Sequence, residues 1–193
     1  MIIGITGGTG CGKTTLLRLI GDMGGLVLDC DAIYHDLLST DADLLRAIEN
    51  RFSGTVRHGF LDRKALGRLV FDDKVALQDL NTITHGAVKR EVLRRLEEKP
   101  RLAAIDAIAL LESGLGELCD VTVAVTAPEE LRVQRLIQRD GIPEDYARKR
   151  IAAQHTAQWF REHCDYVLEN AGDMAAFERK CIAFLKNLGI MKI

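Results

Sequence analysis

The 193-residue chain lacks several features that would assign it to other classes of protein. It has no apolar run near the roughly 20 residues that span a bilayer, and no basic flank with a small-residue cleavage site at its N-terminus. A formal charge of −2 gives none of the basic excess that non-specific nucleic-acid binding requires. The five cysteines are scattered without a Cys-x-x-Cys pair, so no zinc or redox site is indicated. We therefore expect a cytoplasmic protein that binds neither membrane nor nucleic acid.

Short β-branched or apolar runs alternate with longer amphipathic stretches, a pattern typical of a mostly parallel sheet flanked by helices. Residues 30–100 have helical periodicity, broken by a Gly-containing turn at 53–59 that resembles a small hairpin. This region is too long for a single crossover, so it should form a helical subdomain beside the sheet. Five strands are predicted, at 2–6, 26–29, 101–106, 121–126 and 166–169.

The second half of the chain contains a further helical region. We predict that it begins at Pro128, a residue type that fits the first turn of a helix. It turns at 141–143, resumes over 144–160, and a last helix is expected at about 173–188. The sequence therefore predicts an α/β fold of one domain.

The junction between the first strand and the first helix is rich in glycine. GITGGTGCGKTT, residues 4–15, contains five glycines, and residues 7–14 fit the pattern G-x-x-x-x-G-K-[ST]. Glycine lets the backbone curl so that successive N–H groups converge, and the start of the helix adds its positive end. The pattern predicts a cradle for ATP phosphates, with Lys13 reaching the β- and γ-phosphates and the Thr14 hydroxyl ligating Mg²⁺. The alternative is a Gly-rich turn with a surface lysine.

Aspartates follow two of the predicted strands, where ligands bind in open α/β sheets. The second strand ends in Asp29-Cys30-Asp31. One of the two aspartates can cap the helix expected from residue 32, while the other orients an acceptor hydroxyl, takes its proton or holds a metal through water. We favour Asp31 for the chemistry. Asp106 ends the third strand, where P-loop proteins often carry an acidic residue near Mg²⁺, although a strand-end turn former is the alternative.

Arginines are concentrated after the fourth strand. Arg132, Arg135 and Arg139 recur at helical spacing, and Arg148 and Arg150 follow on the next helix. Such a run is usually a solvated charged face. In a phosphoryl-transfer enzyme it instead predicts a lid that excludes water and neutralises charge on the transferring group.

Taken together, these segments resemble the bacterial dephospho-CoA kinases, P-loop kinases that move the ATP γ-phosphate to the ribose 3′-hydroxyl of dephospho-CoA. The P-loop alone is shared by many families, whereas the order and spacing of the later segments point to this one. The resemblance covers most of the chain, in IGITGGTGCGKTT, LDCDAI, LDRKALGRLVF, ITHGAV, DAIALLES, RLIQRDGIPEDYARKRIAAQ and CDYVLENAGD.

The resemblance implies a role for each matching residue. Catalysis would involve Lys13, Asp31 as the base and Arg139 of the lid. On the acceptor side it implies Asp31, Arg63, His85 and Asp106. The residues implied to hold ATP are Gly8, Thr9, Gly10, Cys11, Gly12, Lys13, Thr14 and Thr15 at the phosphates, Arg150 in the lid and Asn170 near the adenine.

The resemblance also implies one P-loop kinase domain over residues 1–193. Its core would comprise about 1–30, 100–127 and 164–193, with a helical substrate subdomain at about 31–99 and a helical lid at about 128–163. ATP, Mg²⁺ and dephospho-CoA are the implied ligands, and we expect a monomer or weak homo-oligomer.

The chain departs from the family pattern at two prolines. Gly86 follows His85 where the family usually has proline, and Asp106-Ala107-Ile108-Ala109-Leu110 replaces D-x-P-L-L. Losing both prolines frees φ where the acceptor pocket would be shaped. These substitutions leave open a P-loop kinase of another nucleoside, nucleotide or small alcohol. A separate alternative, of another class, is a nucleotide-binding regulatory switch without an acceptor. The arginine-rich lid and the helical insertion argue against the switch.

Overall fold

A computed structural model describes residues 1–191 of the protein, which contain seven strands and nine α-helices. The last two residues of the predicted core lie outside this range. The strands are β1 (Ile2–Thr6), β2 (Leu26–Asp29), β3 (Val56–Arg57), β4 (Phe60–Leu61), β5 (Ala103–Asp106), β6 (Val121–Thr126) and β7 (Tyr166–Glu169). The helices are α1 (Lys13–Asp22), α2 (Cys30–Thr40), α3 (Ala42–Arg51), α4 (Arg63–Val70), α5 (Lys74–Leu96), α6 (Glu129–Asp140), α7 (Glu144–Ala152), α8 (Ala157–His163) and α9 (Met174–Asn187), with a 3₁₀ turn at Gly116–Leu118.

Five strands form one sheet in the order β2-β5-β1-β6-β7. The central strand β1 pairs in parallel with β5 and β6, and β6 pairs in parallel with β7. Every residue of β6 is buried, and so are four of the five residues of β1. Near-continuous apolar strands of this kind are typical of parallel sheets covered on both faces. The predicted α/β fold with a five-stranded parallel sheet is therefore confirmed.

The chain divides into two compact units. One comprises Met1–Val27, Pro100–Leu110 and the chain from Gly116 onward, and it contains the P-loop, α1 and α6–α9. Its core lies on the sheet, where Ile3 and Ile5 of β1 pack with Leu16 of α1 and Phe177 of α9. A smaller apolar cluster, Val133, Leu136, Ala147 and Ile151, packs α6 against α7.

The other unit comprises Leu28–Lys99 and Leu111–Leu115 and has its own core, in which Leu44, Ile48 and Phe52 of the α3 region pack with Leu66 of α4 and Ala87 of α5. The hairpin predicted at 53–59 forms slightly later, as β3 and β4 pair through Val56 with Leu61 and Arg57 with Phe60. This unit therefore consists of α2–α5 and that hairpin.

The strand predicted at 101–106 begins at Ala103, and two predicted helices also differ from the structure. The helix expected without interruption over 144–160 ends at Ala152, and α8 starts at Ala157 because the Thr156 hydroxyl accepts the N–H of Trp159 and caps a new helix. Helix α2 begins at Cys30 rather than after Asp31. Within the described chain, no helix combines the length and apolarity needed to cross a membrane.

Candidate active site

The loop between β1 and α1 needs glycine both for its backbone angles and for close contacts. Gly7, Gly10 and Gly12 have φ of 129°, 77° and 93°, in the region that favours glycine. A Cβ on Gly7 would lie 2.1 Å from the carbonyl oxygen of Val125. On Gly8, which has no such φ, a Cβ would lie 2.2 Å from Nη2 of Arg132. Side chains are therefore excluded by the elements that pack on the loop.

Three carbonyl groups of the loop, those of Thr9, Gly10 and Cys11, accept hydrogen bonds from side chains of α6 and of the residue after β7. Arg132 Nε donates to Thr9 O at 2.9 Å, Arg135 Nη1 to Gly10 O at 3.1 Å, and Asn170 Nδ2 to Cys11 O at 2.9 Å. Asn170 Oδ1 also accepts from Arg135 Nη2 at 3.3 Å.

These contacts orient the amides of the loop. Across a trans peptide the C=O and the following N–H point in opposite directions, so the amides of Gly10 and Gly12 point away from the side chains that hold the carbonyls. In residues 1–191, no intramolecular hydrogen bond uses the amides of Gly10, Gly12 or Lys13, whereas Cys11 N–H donates to Gly8 O at 3.3 Å. Converging amides at the start of a helix form an anion-binding nest.

Lys13 and Asp106 lie side by side at the ends of α1 and β5. Lys13 Nζ donates to Gly7 O at 3.1 Å and lies 3.9 Å from Asp106 Oδ1. Their side chains are only 14% and 16% exposed, so the ion pair is poorly screened. Asp106 thus faces the loop lysine as well as ending a strand. Thr14 is exposed and Thr15 half-buried in the first turn of α1.

Cys11 is buried within the loop. Burial raises the pKa of its thiol, and the charges of Arg132 and Lys13 only partly oppose this effect. The thiol is therefore neutral at physiological pH and acts as an apolar group of the core cluster.

The remaining arginines of α6 and α7 are bound to carboxylates. Arg139 Nε and Arg150 Nη1 both donate to Asp140, at 2.7 and 3.0 Å, and these contacts lower the pKa of that carboxyl. Arg148 instead pairs with Glu129, Glu130 and Glu144. Arg148 thus fits the solvated-face interpretation, whereas Arg139 and Arg150 converge on one exposed carboxylate.

Three residues that contact the loop were not assigned to it from the sequence. Arg132 and Arg135 were placed only among the lid arginines, and Gln154 had no assigned role. Gln154 Oε1 accepts the N–H of Thr9 at 2.9 Å and a hydrogen bond from Arg132 Nη2 at 2.7 Å. A glutamine in a short connection between helices has no spacing signal, so local sequence gave no means of finding it.

In the second unit, Asp29 and Asp31 take different positions at the start of α2. Asp29 is the N-cap and its Oδ1 accepts the N–H of Ala32 at 3.0 Å, whereas Asp31 lies exposed in the first turn. The helix-capping alternative thus applies to Asp29. Asp31 is not used as a cap.

Arg63 and His85 belong to α4 and α5 of the same unit. Arg63 Nη2 is 3.0 Å from Nδ1 of His35, a residue that the sequence analysis did not select. His85 is half-buried, and burial lowers its pKa while Glu112 acts in the opposite direction. Because Gly86 retains the N–H that proline lacks, α5 runs unbroken through this position over 23 residues.

The fold and the loop together define a class of protein. A parallel sheet whose central strand leads into G-x-x-x-x-G-K-T at a helix start is the P-loop kinase fold. A solved structure of shikimate kinase from Bacteroides thetaiotaomicron has this fold, with a TM-score of 0.59 at 14% identity over 98% of each chain.

The particular family follows from closer comparisons. The family model described as "CoaE: Dephospho-CoA kinase" matches residues 1–176. The chain therefore belongs to the dephospho-CoA kinase family, as the sequence analysis predicted. It is a phosphotransferase acting on an alcohol group, and membership of a kinase family makes ATP its substrate.

Named relatives cover nearly the whole chain. The dephospho-CoA kinase of Corynebacterium diphtheriae is 36% identical over 184 residues, 92% of each chain. That of Anaeromyxobacter dehalogenans is 38% identical over 196 aligned residues, 97% of this chain and 92% of the relative. Among solved structures, TT1252 from Thermus thermophilus has a TM-score of 0.81 at 34% identity over 97% of both chains. The dephospho-CoA kinase from Campylobacter jejuni has a TM-score of 0.68 at 26% identity over 98% of both chains.

Proposed function

We propose that the chain transfers the γ-phosphate of ATP to the ribose 3′-hydroxyl of dephospho-CoA, giving coenzyme A and ADP. The observation that carries this proposal is the family match over residues 1–176. The loop between β1 and α1 at residues 7–12, the phosphate loop, supports it, because the amides of Gly10, Gly12 and Lys13 form no hydrogen bond within residues 1–191. The bond from Pγ to the β,γ-bridging oxygen breaks, and a bond from Pγ to the 3′-oxygen forms. The proton of the hydroxyl passes to a carboxylate of the chain.

The loop between β1 and α1 would bind the nucleotide. The amides of Gly10, Gly12 and Lys13 would bind phosphate oxygens, and Lys13 Nζ would leave the Gly7 carbonyl for the β- and γ-phosphates. Thr9 would shape the loop rather than donate to the nucleotide, since its N–H is bound to Gln154. Gly8, Cys11, Thr14 and Thr15 complete the segment proposed to enclose the phosphates.

The residues present fit a Mg²⁺ ion that is bound mainly by substrate. Within residues 1–191 no group of three or more His, Cys, Asp or Glu side chains could hold a metal by itself. Mg²⁺ in kinase sites takes one or two protein oxygens and completes its shell with phosphate and water. The exposed Thr14 hydroxyl would hold it, with Asp106 as the carboxylate beside the loop lysine. When bound, the ion neutralises charge on the β- and γ-phosphates.

The acceptor half would be provided by the second unit. Asp31 is exposed and is not the cap of α2, so its carboxylate can align the 3′-hydroxyl and accept its proton. Arg63 would bind an anionic part of the acceptor, and His85 would bind by hydrogen bonding because its lowered pKa keeps the ring neutral. Little covalent chemistry is required of these residues, since positioning and charge provide most of the catalysis.

The lid would provide the remaining positive charge. Arg139 and Arg150 would exchange the carboxylate of Asp140 for oxygens of the transferring phosphoryl group. Asn170, whose side chain holds the Cys11 carbonyl, would stand beside the adenine.

The test is ATP consumption with and without dephospho-CoA, with the position of the new phosphate determined by ³¹P NMR. We expect turnover to require dephospho-CoA and the product to carry a 3′-phosphate. Slow ATP hydrolysis at a rate unchanged by dephospho-CoA would favour the regulatory switch. Faster turnover of another alcohol in a panel of acceptors would favour a P-loop kinase with a different acceptor.

A matched pair of variants tests the base. Asp31→Asn removes the proton acceptor and should lower kcat by about 100-fold or more, while the Kd of ATP changes little. Asp29→Asn makes the same chemical change two residues away and keeps a capping side chain, so its kcat should stay near that of the wild type. Near-normal turnover of Asp31→Asn would exclude Asp31 as the base.

A further inference from the structure

Both backbone polar groups of Thr9 are held by side chains from the arginine-rich segment. Arg132 Nε donates to Thr9 O at 2.9 Å, and Thr9 N–H donates to Gln154 Oε1 at 2.9 Å. The ring is closed by Arg132 Nη2, which donates to the same Gln154 oxygen at 2.7 Å. Three short hydrogen bonds therefore fix the orientation of one residue in the middle of the phosphate loop.

The two side chains come from different elements of that segment. Arg132 lies on α6, and Gln154 lies in the connection between α7 and α8, where the chain leaves helical geometry. The connection is itself fixed, because Gln154 N–H donates to Ile151 O at 3.1 Å and Thr156 caps α8. Gly8 leaves the space for this ring, since a Cβ there would lie 2.9 Å from Gln154 Oε1 and closer still to Arg132.

Arg132 also places a positive charge inside the protein. The residue is only 9% exposed, and in the described part of the chain it forms no ion pair, its hydrogen bonds going to neutral oxygens. A buried cation without a counter-ion is unfavourable, and a nearby anion relieves that cost. The charge also acts on the loop. It lowers the pKa of the Cys11 thiol, against the effect of burial, more strongly than the charge of Lys13 does.

We propose that Arg132 and Gln154 are positioning residues that hold the phosphate loop in its anion-binding shape before ATP binds, with Arg132 adding a buried charge that the phosphates neutralise. This inference rests on the proposed function, because it assigns the nest to the phosphates of ATP. Both residues would act through the backbone of Thr9 and would not touch the nucleotide themselves. Their effect should appear in the binding of phosphate groups, in the ground state and the transition state alike.

The experiment uses the full chain and isothermal titration with ATP, ADP and adenosine. Arg132→Met removes the charge and the hydrogen bonds but keeps much of the volume, so it should weaken ATP and ADP binding by about 10-fold, as expected for lost charge-assisted hydrogen bonds. Adenosine, which lacks phosphate, should bind with an affinity within about twofold of wild type. The KM of the acceptor should also stay within about twofold, because losing uniform binding of phosphate raises only the KM of ATP. Arg132→Lys should be intermediate, since it restores the charge without the planar fork.

Two further variants separate positioning from folding. Gln154→Glu keeps an acceptor for the Thr9 amide and for Arg132 but supplies the counter-charge, so the protein should stay folded and still bind ATP and ADP several-fold more weakly. Arg179→Met changes an exposed arginine of α9 and should leave all three affinities unchanged. Thermal unfolding of each variant reports whether the fold is intact.

The outcomes are distinguishable. Wild-type ATP and ADP affinities in both Arg132→Met and Gln154→Glu would overturn this inference while leaving the proposed function standing. An equal loss of adenosine binding would also overturn it, because the effect would then be general rather than confined to phosphate. Failure of the wild-type chain to bind ATP or to transfer its phosphate would instead overturn the proposed function.

Discussion

At the scale of single residues, Gly7 and Gly24 separate two reasons for needing glycine. Both have positive φ, 129° and 76°, but a Cβ on Gly7 would meet the Val125 backbone at 2.1 Å, whereas one on Gly24 would meet nothing within 4 Å. Gly24→Ala should therefore cost only the backbone strain, about 1–2 kcal/mol of unfolding free energy. Gly7→Ala should cost more and also distort the phosphate loop, since a strand carbonyl cannot move aside.

Urea unfolding and ATP titration of both variants check this prediction. We expect Gly7→Ala to lower stability more than Gly24→Ala and to weaken ATP binding by at least about 10-fold, the change produced by roughly 1.4 kcal/mol. The Gly24→Ala protein should bind ATP as the wild type does. Equal losses in the two variants would mean that φ alone, and not the contact with β6, makes glycine necessary at residue 7.

The local pattern identified the loop but not the groups that hold it. The spacing of Gly7, Gly12 and Lys13 predicted a phosphate nest, because that spacing reflects a backbone shape within one segment. The groups that fix the shape, on Arg132 and Gln154, lie more than a hundred residues along the chain. Such contacts depend on tertiary packing, for which a single sequence has no periodic signal.

At the scale of elements, every α-helix of the second unit begins with an aspartate cap. Each of these side chains accepts at least one amide of the first helical turn, which leaves fewer unpaired donors at the helix start. The caps divide the long helical region into four separate helices. The capping residues are Asp29, Asp41, Asp62 and Asp73.

Replacing the first of these caps should affect stability but not the proposed chemistry directly. Asp29→Ala removes the acceptor for Ala32 N–H and should lower the unfolding free energy by about 1 kcal/mol, whereas Asp29→Asn should lower it by less. Asp31→Ala should have a smaller effect on stability than Asp29→Ala, because Asp31 contributes only its favourable charge near the helix start. Urea unfolding measures all three. A larger loss for Asp31→Ala would contradict the assignment of Asp29 as the cap.

Strands were easier to predict than helix breaks. The predicted limits 2–6, 26–29, 121–126 and 166–169 match β1, β2, β6 and β7, because short apolar runs between polar residues mark buried strands clearly. The break at 153–156 was missed because its amphipathic periodicity continues across it, while a single threonine cap decides where α8 starts. The order of the strands also lay beyond local pattern, since β1 has neighbours that are distant in the sequence.

At the scale of the whole molecule, the proposed function assigns one substrate to each compact unit. The phosphate loop and the arginine-bearing helices α6 and α7 lie in the unit that begins at Met1. Asp31, Arg63 and His85 lie in the unit of residues 28–99 and 111–115. Because each unit has its own core, each can be stabilised separately by the ligand that it binds.

Hydrogen exchange measured by mass spectrometry should resolve this division. ADP should slow exchange in peptides covering residues 7–16, whose Gly10, Gly12 and Lys13 amides would donate to phosphate, and in peptides of α6. Dephospho-CoA alone should slow exchange mainly in α2, α4 and α5. Lys13→Ala should reduce the effect of ADP at matched concentration and leave the effect of dephospho-CoA unchanged, because only the first ligand depends on the loop lysine. Protection by ADP confined to α2–α5 would contradict the assignment, since ligand linkage protects the region whose folded form the ligand binds.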